Sequence, residues 1–434
     1  EFGWEDFTLV SKEAKTLYLV CMVAQTIERF AGQEIAKTAA EKMLNCTFPD
    51  DWWTDHQSCF YIPTTRPDFL SKQLDINQDF LSEFHQFVSQ DKLVIIGGND
   101  NDRTHPLRHH TDINPFGKVS VMDSWRDTDD WRIWARKDSN GYWVLFRPDT
   151  GDKIRFSLTD KPVSTDKSSI PELVDCCITK RCYKNCAYCY MGATPTSEHA
   201  DAVVIEELIN SLSRMGTFEI TFGGGESTLH PEFLHFLDYA RYSGLVPNFT
   251  TRDLSWMRNE FERNAIIEKV GAFAYSVINS DEVNELAALL HTYKISGHKA
   301  VIQVVLGTVT EDIYRYILTA AAYHGLQVTL LGFKKTGRGK DFKVIPYKWW
   351  LTRYLTAPSR PRLSVDTCIA KEYREQILAA DVPEYLFTTE EGKFSMFADA
   401  VDMRIAPSSY CDESEYVKVK DFDEETILDA YKDW

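Results

Sequence analysis

The sequence predicts an α/β chain: a parallel sheet of six strand-plus-helix units curved into a partial (β/α)6 barrel, preceded by an N-terminal α+β module and followed by a C-terminal extension. Three observations point there. Between residues 171 and 333, apolar, β-branched runs alternate with segments of helical period. Gly216, Gly244, Gly271, Gly297 and Gly325 each close a helical run, 26 to 28 residues apart, as C-terminal caps do. No further unit is readable after residue 345, so the eight units of a closed barrel are not reached.

The strands in order are "ELVDCCIT" (172–179), "FEITF" (218–222), "VPNFTT" (246–251), "AFAYSVIN" (272–279), "AVIQVVLG" (300–307) and "VTLLGF" (328–333). The first helix is "DAVVIEELINSLSRM", where Val204, Leu208 and Leu212 recur on one face. In a barrel of this kind the chemistry sits at the C-terminal ends of the strands.

Four segments follow from these boundaries: a mainly helical module at 1–120, a β-meander at 121–168, the partial barrel at 171–345 and the extension at 346–434. Residues 1–60 read as amphipathic helices, with Trp52 and Trp53 just inside a Pro-containing stretch. "WRIWARKDSNGYWVLFRPDTGDKIRFSL" (131–158) alternates apolar and polar residues around "SNG" and "DTGD", the signature of paired hairpins. It offers an edge or groove for gripping a peptide, although Trp131, Trp134 and Trp143 equally serve a small core. "STDKSSIPE" (164–172) is the linker, and the tail "DFDEETILDAYKDW" is acidic.

A chain of 434 residues with a net charge of −17 lacks the basic surface of a general nucleic-acid binder. The longest apolar run, "LYLVCMVA" (17–24), is too short to span a bilayer, so no membrane is expected. With no secretory signal pattern at the start, a cytoplasmic setting is expected. Clustered cysteines then speak for metal or redox chemistry rather than disulfides.

Three of the 10 cysteines, Cys182, Cys186 and Cys189, follow the first barrel strand within "CYKNCAYC". A C-x3-C-x2-C loop offers three soft thiolates, which suits an iron–sulfur cluster with one iron free of protein ligands. Zinc is the alternative, with His199 or Cys177 as its fourth ligand. After the second strand comes "FGGGES", Phe222 to Ser227. Gly223, Gly224 and Gly225 let backbone approach a ligand closely, and Glu226 can offset an ammonium.

Over residues 171–335 these two motifs in a six-unit frame resemble the radical S-adenosylmethionine superfamily. The resemblance implies a 4Fe–4S cluster on Cys182, Cys186 and Cys189, whose open iron takes the amino and carboxylate groups of S-adenosylmethionine. It places Tyr188 by the adenine and the glycines with Glu226 at the methionine amino group. At the later strand ends it places Thr250, Thr251, Arg252, Ser276 and Gln303 toward the ribose or carboxylate, whereas Ser276 and Gln303 otherwise read as polar members of a barrel layer. The basic loop "KKTGRG" (334–339) reads either as an anion holder or as plain surface. The implied chemistry is reductive cleavage of the sulfonium to a 5′-deoxyadenosyl radical, which abstracts a hydrogen from carbon. A flavodoxin- or ferredoxin-type electron donor comes with it.

No cysteine-rich extension follows the barrel, only Cys368 and Cys411. One radical cluster with an isolated downstream thiol resembles the epimerases of ribosomally made peptides. That implies a precursor-peptide substrate, inversion of Cα from L to D, and Cys368 as hydrogen donor, with Cys411 as second candidate. Read without the resemblance, Cys368 is a small buried hydrophobe. Peptide cross-linking, a small-molecule substrate, and a non-catalytic iron–sulfur or zinc protein are the competing readings.

Overall fold

The computed structural model describes residues 94–96, 119–126, 129–146, 148, 151, 153–157 and 167–434 apart from 356–360, 381 and 383–386. The helices expected over 1–60 lie outside these residues. The chain divides into two units, 1–166 and 167–434.

In the first unit, β1 (Val94–Ile96), β2 (Val119–Arg126), β3 (Asp129–Lys137), β4 (Trp143–Phe146) and β5 (Lys153–Ser157) form an antiparallel sheet in the order β1-β5-β4-β3-β2. Gly141, in the turn at "SNG", and Gly151, between β4 and β5, take φ of 96° and 79°, conformations cheap only for glycine.

In the second unit, seven parallel strands follow one another: β6 (Leu173–Thr179), β7 (Glu219–Gly224), β8 (Val246–Thr251), β9 (Phe273–Ser276), β10 (Ala300–Val305), β11 (Gln327–Leu331) and β12 (Leu363–Val365). The first six are those the periodicity predicts. The seventh follows the helix Lys348–Leu355, and its three residues are too short to carry a pattern. On the other edge β13 (Ser395–Asp399) lies parallel to β6, β14 (Arg404–Ala406) pairs antiparallel with β13, and β15 (Val417–Lys418) pairs antiparallel with β14. The sheet stays open, with β12 and β15 as its edges.

β7, β9, β10 and β11 alternate, whereas β6 is buried from Cys176 to Thr179. Ile178, Phe222, Phe249, Ile302 and Leu330 are buried against helices such as Ala202–Met215, from which Leu208, Ile209 and Leu212 point inward. Burying each such side chain contributes roughly 1.5–3 kcal/mol. Their neighbours Asp175, Thr221, Thr250, Ser276 and Gln303 stay partly open and face a common cavity. A closed barrel of eight strands packs its interior solid; here the interior is the site.

Helix ends explain part of the glycine spacing. Gly216 caps Ala202–Met215 at φ 88°, and Gly244 and Gly325 are left-handed just past theirs. Gly271 and Gly297 are not caps. Lys294 takes the left-handed turn after Ser280–Tyr293, and Gly271 is small because a Cβ there would lie 2.6 Å from Asn248 Oδ1 and Val246 Cγ1.

β13 is fastened by charge. Asp399, fully buried at its end, pairs with Lys180 (3.2 Å) beyond β6 and Arg404 (3.2 Å) on β14, and Lys180 also pairs with Asp402. Among the described residues no helix is long and apolar enough to cross a membrane.

Candidate active site

A cavity of about 420 Å³ opens at the C-terminal ends of the strands. It is lined by Cys182, Cys186, Tyr188 and Cys189, by the run Gly223–Glu226, and by Thr250, Thr251, Arg252, Ser276 and Gln303. The structure thus brings together every residue that the two motifs and the strand ends nominated. Cys368 is the exception and is not part of the lining.

The cysteine loop departs from β6 and turns through Asn185, left-handed at φ 48°. Its three cysteines are half-buried. The Cys182 N–H donates to the Thr194 carbonyl (3.0 Å), and burial pushes its thiol up. A bound metal reverses that preference by supplying the positive charge a thiolate needs.

The glycine run is small for two reasons. Gly223 and its neighbours line the cavity, and the end of β7 also crosses the end of β6. A Cβ on Gly224 would lie 2.2 Å from the Thr179 carbonyl oxygen and one on Gly225 2.2 Å from that of Arg181. No side chain fits there.

Glu226 is buried, 3% exposed. Its Oε1 accepts hydroxyls from Thr251 (2.7 Å) and Thr228 (2.9 Å), and its Oε2 accepts the Arg252 backbone N–H (2.9 Å). Burial raises its pKa and these three donors work against the rise. A carboxylate has about four lone-pair sites, so one is left for a donor from the cavity. Thr251, nominated for ribose or carboxylate, spends its hydroxyl on Glu226 instead.

Arg252 joins three strand ends. Its guanidinium donates to the Tyr188 hydroxyl (3.3 Å) and pairs with Glu282 (2.8 Å), and Nε remains buried without a partner among the described residues. Tyr188 also meets Phe342 edge-on at 5.7 Å. Ser276 donates to Gln303 (3.3 Å) across β9 and β10, so the two are mutually satisfied and still line the cavity.

The far side comes from the last strands and the C-terminal extension. Lys334 lies over the rings of Tyr190 (4.9 Å) and Tyr410 (4.1 Å), and the Tyr410 hydroxyl donates to Glu391. Asp366 accepts the Gly332 N–H (3.0 Å) and caps the short helix Thr367–Glu372 through the Ile369 N–H (2.9 Å). Asp175 opens onto the cavity yet sits deep among barrel atoms. Desolvation raises its carboxyl to about 6 against the pull of Lys334. Cys368 follows Asp366 by two residues, and its sulfur rests on Gly332, where an added Cβ would lie 2.4 Å from it. Burial pushes its thiol to about 11. Cys411, expected in an exposed tail, is half-buried in a small cluster with Cys177 and Phe397.

The sequence reading missed Asp175, Asp366, Glu391 and Tyr410. Only Asp175 left a signal, as an acid inside the apolar run "ELVDCCIT". Arg338, a candidate anion holder, is committed elsewhere: it donates to the carbonyls of Cys186 (2.9 Å) and Ala193 (2.8 Å).

A family profile described as the Radical SAM superfamily matches residues 176–317, the span that carries both motifs. Those residues form a radical S-adenosylmethionine domain. Among solved structures, SuiB of Streptococcus suis bound to its precursor peptide SuiA superposes with a TM-score of 0.53 at 12% identity, over 69% of this chain and 87% of that one. SuiB alone gives 0.52 at 11%, over 69% and 86%. These likenesses share the fold. No curated protein matches the chain in sequence.

Radical S-adenosylmethionine enzymes use a 4Fe–4S cluster and S-adenosylmethionine, and the residues present fit both. Three thiols face one cavity, and a buried carboxylate there keeps one acceptor site open. Among the described residues no three His, Cys, Asp or Glu side chains converge on a single ion. His199, the alternative zinc ligand, holds the Thr179 hydroxyl through Nδ1 (2.8 Å).

Proposed function

We propose that this radical S-adenosylmethionine enzyme acts on a ribosomally made peptide and inverts Cα centres from L to D. Cys182, Cys186 and Cys189 hold the cluster. Glu226, Tyr188, the Gly223–Gly225 run, Thr250, Ser276 and Gln303 form the S-adenosylmethionine site, with Thr251 steadying Glu226. The observation that carries this reading is the shared cavity, with both motifs on one side and the extension on the other. The peptide class draws on the likeness in fold to SuiB, solved with its precursor peptide bound.

When bound, cluster and S-adenosylmethionine would supply the radical chemistry that removes a hydrogen atom from carbon. The chain's residues do the rest. Glu226 receives the methionine ammonium, and the buried cavity holds the carbon near the reacting atom and excludes water. Cys368, one residue beyond the lining residue Thr367, gives a hydrogen atom to the opposite face of the carbon: its S–H bond breaks and a C–H bond forms. One electron and one proton, delivered from a flavodoxin- or ferredoxin-type donor and from solvent, return the sulfur radical to thiol. β2, an edge of its sheet, offers backbone for strand addition by a leader segment.

The test is a reaction in heavy water with the precursor peptide encoded beside the gene. Each D-residue should carry one deuterium, and deoxyadenosine should carry the abstracted hydrogen. Cys368→Ala should still cleave S-adenosylmethionine but leave L-residues, while Cys411→Ala behaves as wild type. D-residues formed at the normal rate by Cys368→Ala would remove the donor role. Cys177, which lines the cavity itself, is the thiol to replace next. A cross-linked, uninverted product would replace epimerisation with the other peptide outcome.

A further inference from the structure

Two of the three motif cysteines lie on residues 183–192, a stretch without helix or strand. Within it only the Cys189 and Gly192 N–H groups find backbone acceptors, the carbonyls of Cys186 and Cys189 (both 3.2 Å). Among the described residues, three of its carbonyls accept hydrogen bonds from outside the stretch, and all three donors belong to residues 336–338. Arg338 Nε donates to Cys186 (2.9 Å), the Arg338 N–H to Cys189 (2.9 Å), and Thr336 Oγ1 to Tyr190 (3.1 Å). Arg338 Nη1 reaches on to Ala193 (2.8 Å).

The approach is close by construction. Gly337, at φ 51°, lies so near that a Cβ would come within 2.3 Å of the Tyr190 carbonyl oxygen and 2.7 Å of that of Cys189. Cys182 is held separately, through its own N–H and Thr194.

We propose that Arg338 is a positioning residue for the cluster: its fork and backbone N–H fix the carbonyls of Cys186 and Cys189, and so set those two thiols relative to Cys182 before any metal arrives. This rests on the reading of the three cysteines as cluster ligands. Arginine suits the task because its planar fork presents fixed donors to two carbonyls at once, which a lysine ammonium does not. "KKTGRG" thereby gains a structural purpose: the end of the last long strand clasps the loop of the first.

The experiment begins with the metal-free, reduced full-length protein, so its outcome does not depend on the cluster assignment. Iodoacetamide labelling is followed at each cysteine by mass spectrometry. In Arg338→Met, Cys186 should label about tenfold faster, as expected when a hydrogen bond from a charged donor is lost, and Cys189, whose carbonyl keeps the backbone N–H of residue 338, should change less. Cys182 should be unchanged, and Arg338→Lys should fall between. Thr336→Val, which removes only the Tyr190 bond, should give a smaller shift and serves if Arg338→Met does not fold. After reconstitution, Arg338→Met should release iron to a chelator faster and broaden the reduced cluster's electron paramagnetic resonance signal. Equal labelling at Cys186 in wild type and every folded variant would overturn the proposal. Faster labelling with no iron bound even by wild type would uphold the clasp and refute the cluster reading instead.

Discussion

The near side of the cavity, built on β6 to β8, and the far side, built on β11 to β14 and the extension, are made in opposite ways. The near side comes from two short contiguous motifs whose residues support one another: glycines that let β7 cross β6, and a carboxylate held by the next strand's Thr251 and Arg252. The far side gathers Gly332, Lys334, Asp366, Glu391 and Tyr410 from separate segments, and its one lysine acts on Asp366, Glu391 and also Asp175 of β6. The fixed chemistry is written compactly, and the surface left for the substrate is scattered. The near side should therefore tolerate no change, whereas the far side should tolerate change at a cost in selectivity.

That contrast breaks most severely at the cysteines. Replacing Cys182, Cys186 and Cys189 together with Ala should abolish iron binding and all S-adenosylmethionine cleavage, read by iron analysis and product chromatography. Four irons retained in that variant would move the cluster elsewhere.

Next in size is Gly225→Ala. The added Cβ meets the backbone of Arg181, which cannot swing aside as a side chain would, so a loss of about 1–3 kcal/mol of stability is expected from overpacking. Thermal unfolding and cofactor binding should both report it. An unperturbed melting point would mean that the crossing of β6 and β7 is looser than described.

Glu226→Ala should keep the cluster and weaken S-adenosylmethionine binding by roughly 1.5–3 kcal/mol, the worth of a hydrogen bond to a charged group. Calorimetry on the reconstituted protein measures it, and unchanged affinity would take Glu226 out of the site.

The smallest effect belongs to Asp175, on β6 where the near side meets β13. Asp175 has a folded-state pKa raised from 3.8 to about 6, chiefly by desolvation. The folded protein then binds more protons than the unfolded chain across that interval, so this group's contribution to stability falls as pH rises through it. Asp175→Asn should accordingly raise the melting temperature at pH 7.5 and leave it nearly unchanged at pH 3.5. Equal shifts at both pH values would show that the carboxyl is not desolvated.

The sequence carried the barrel well because parallel strands backed by helices leave long apolar runs, as in "VPNFTT" and "AVIQVV", which became β8 and β10. It carried β12 and β14 poorly because three-residue strands hold no period. β13 escaped because its pairing with β6 crosses more than 200 residues. In the site, cysteines and glycines were readable since only those residue types serve there. Arg338 and Thr251 were misread for the opposite reason: a polar residue near a site can face a ligand or a neighbour, and both turned to neighbours. Only the fold decides between those two fates.

The central claim is that one cavity holds both cluster and S-adenosylmethionine on its near side, and electron paramagnetic resonance of the reduced, anaerobically reconstituted protein tests it most directly. Adding S-adenosylmethionine should change the spectrum of the reduced cluster in wild type, as a cofactor bound beside a cluster on Cys182, Cys186 and Cys189 would. The change should be weakened at the same cofactor concentration in Glu226→Ala. An identical spectrum with and without S-adenosylmethionine, from a protein carrying its full iron, would contradict the account.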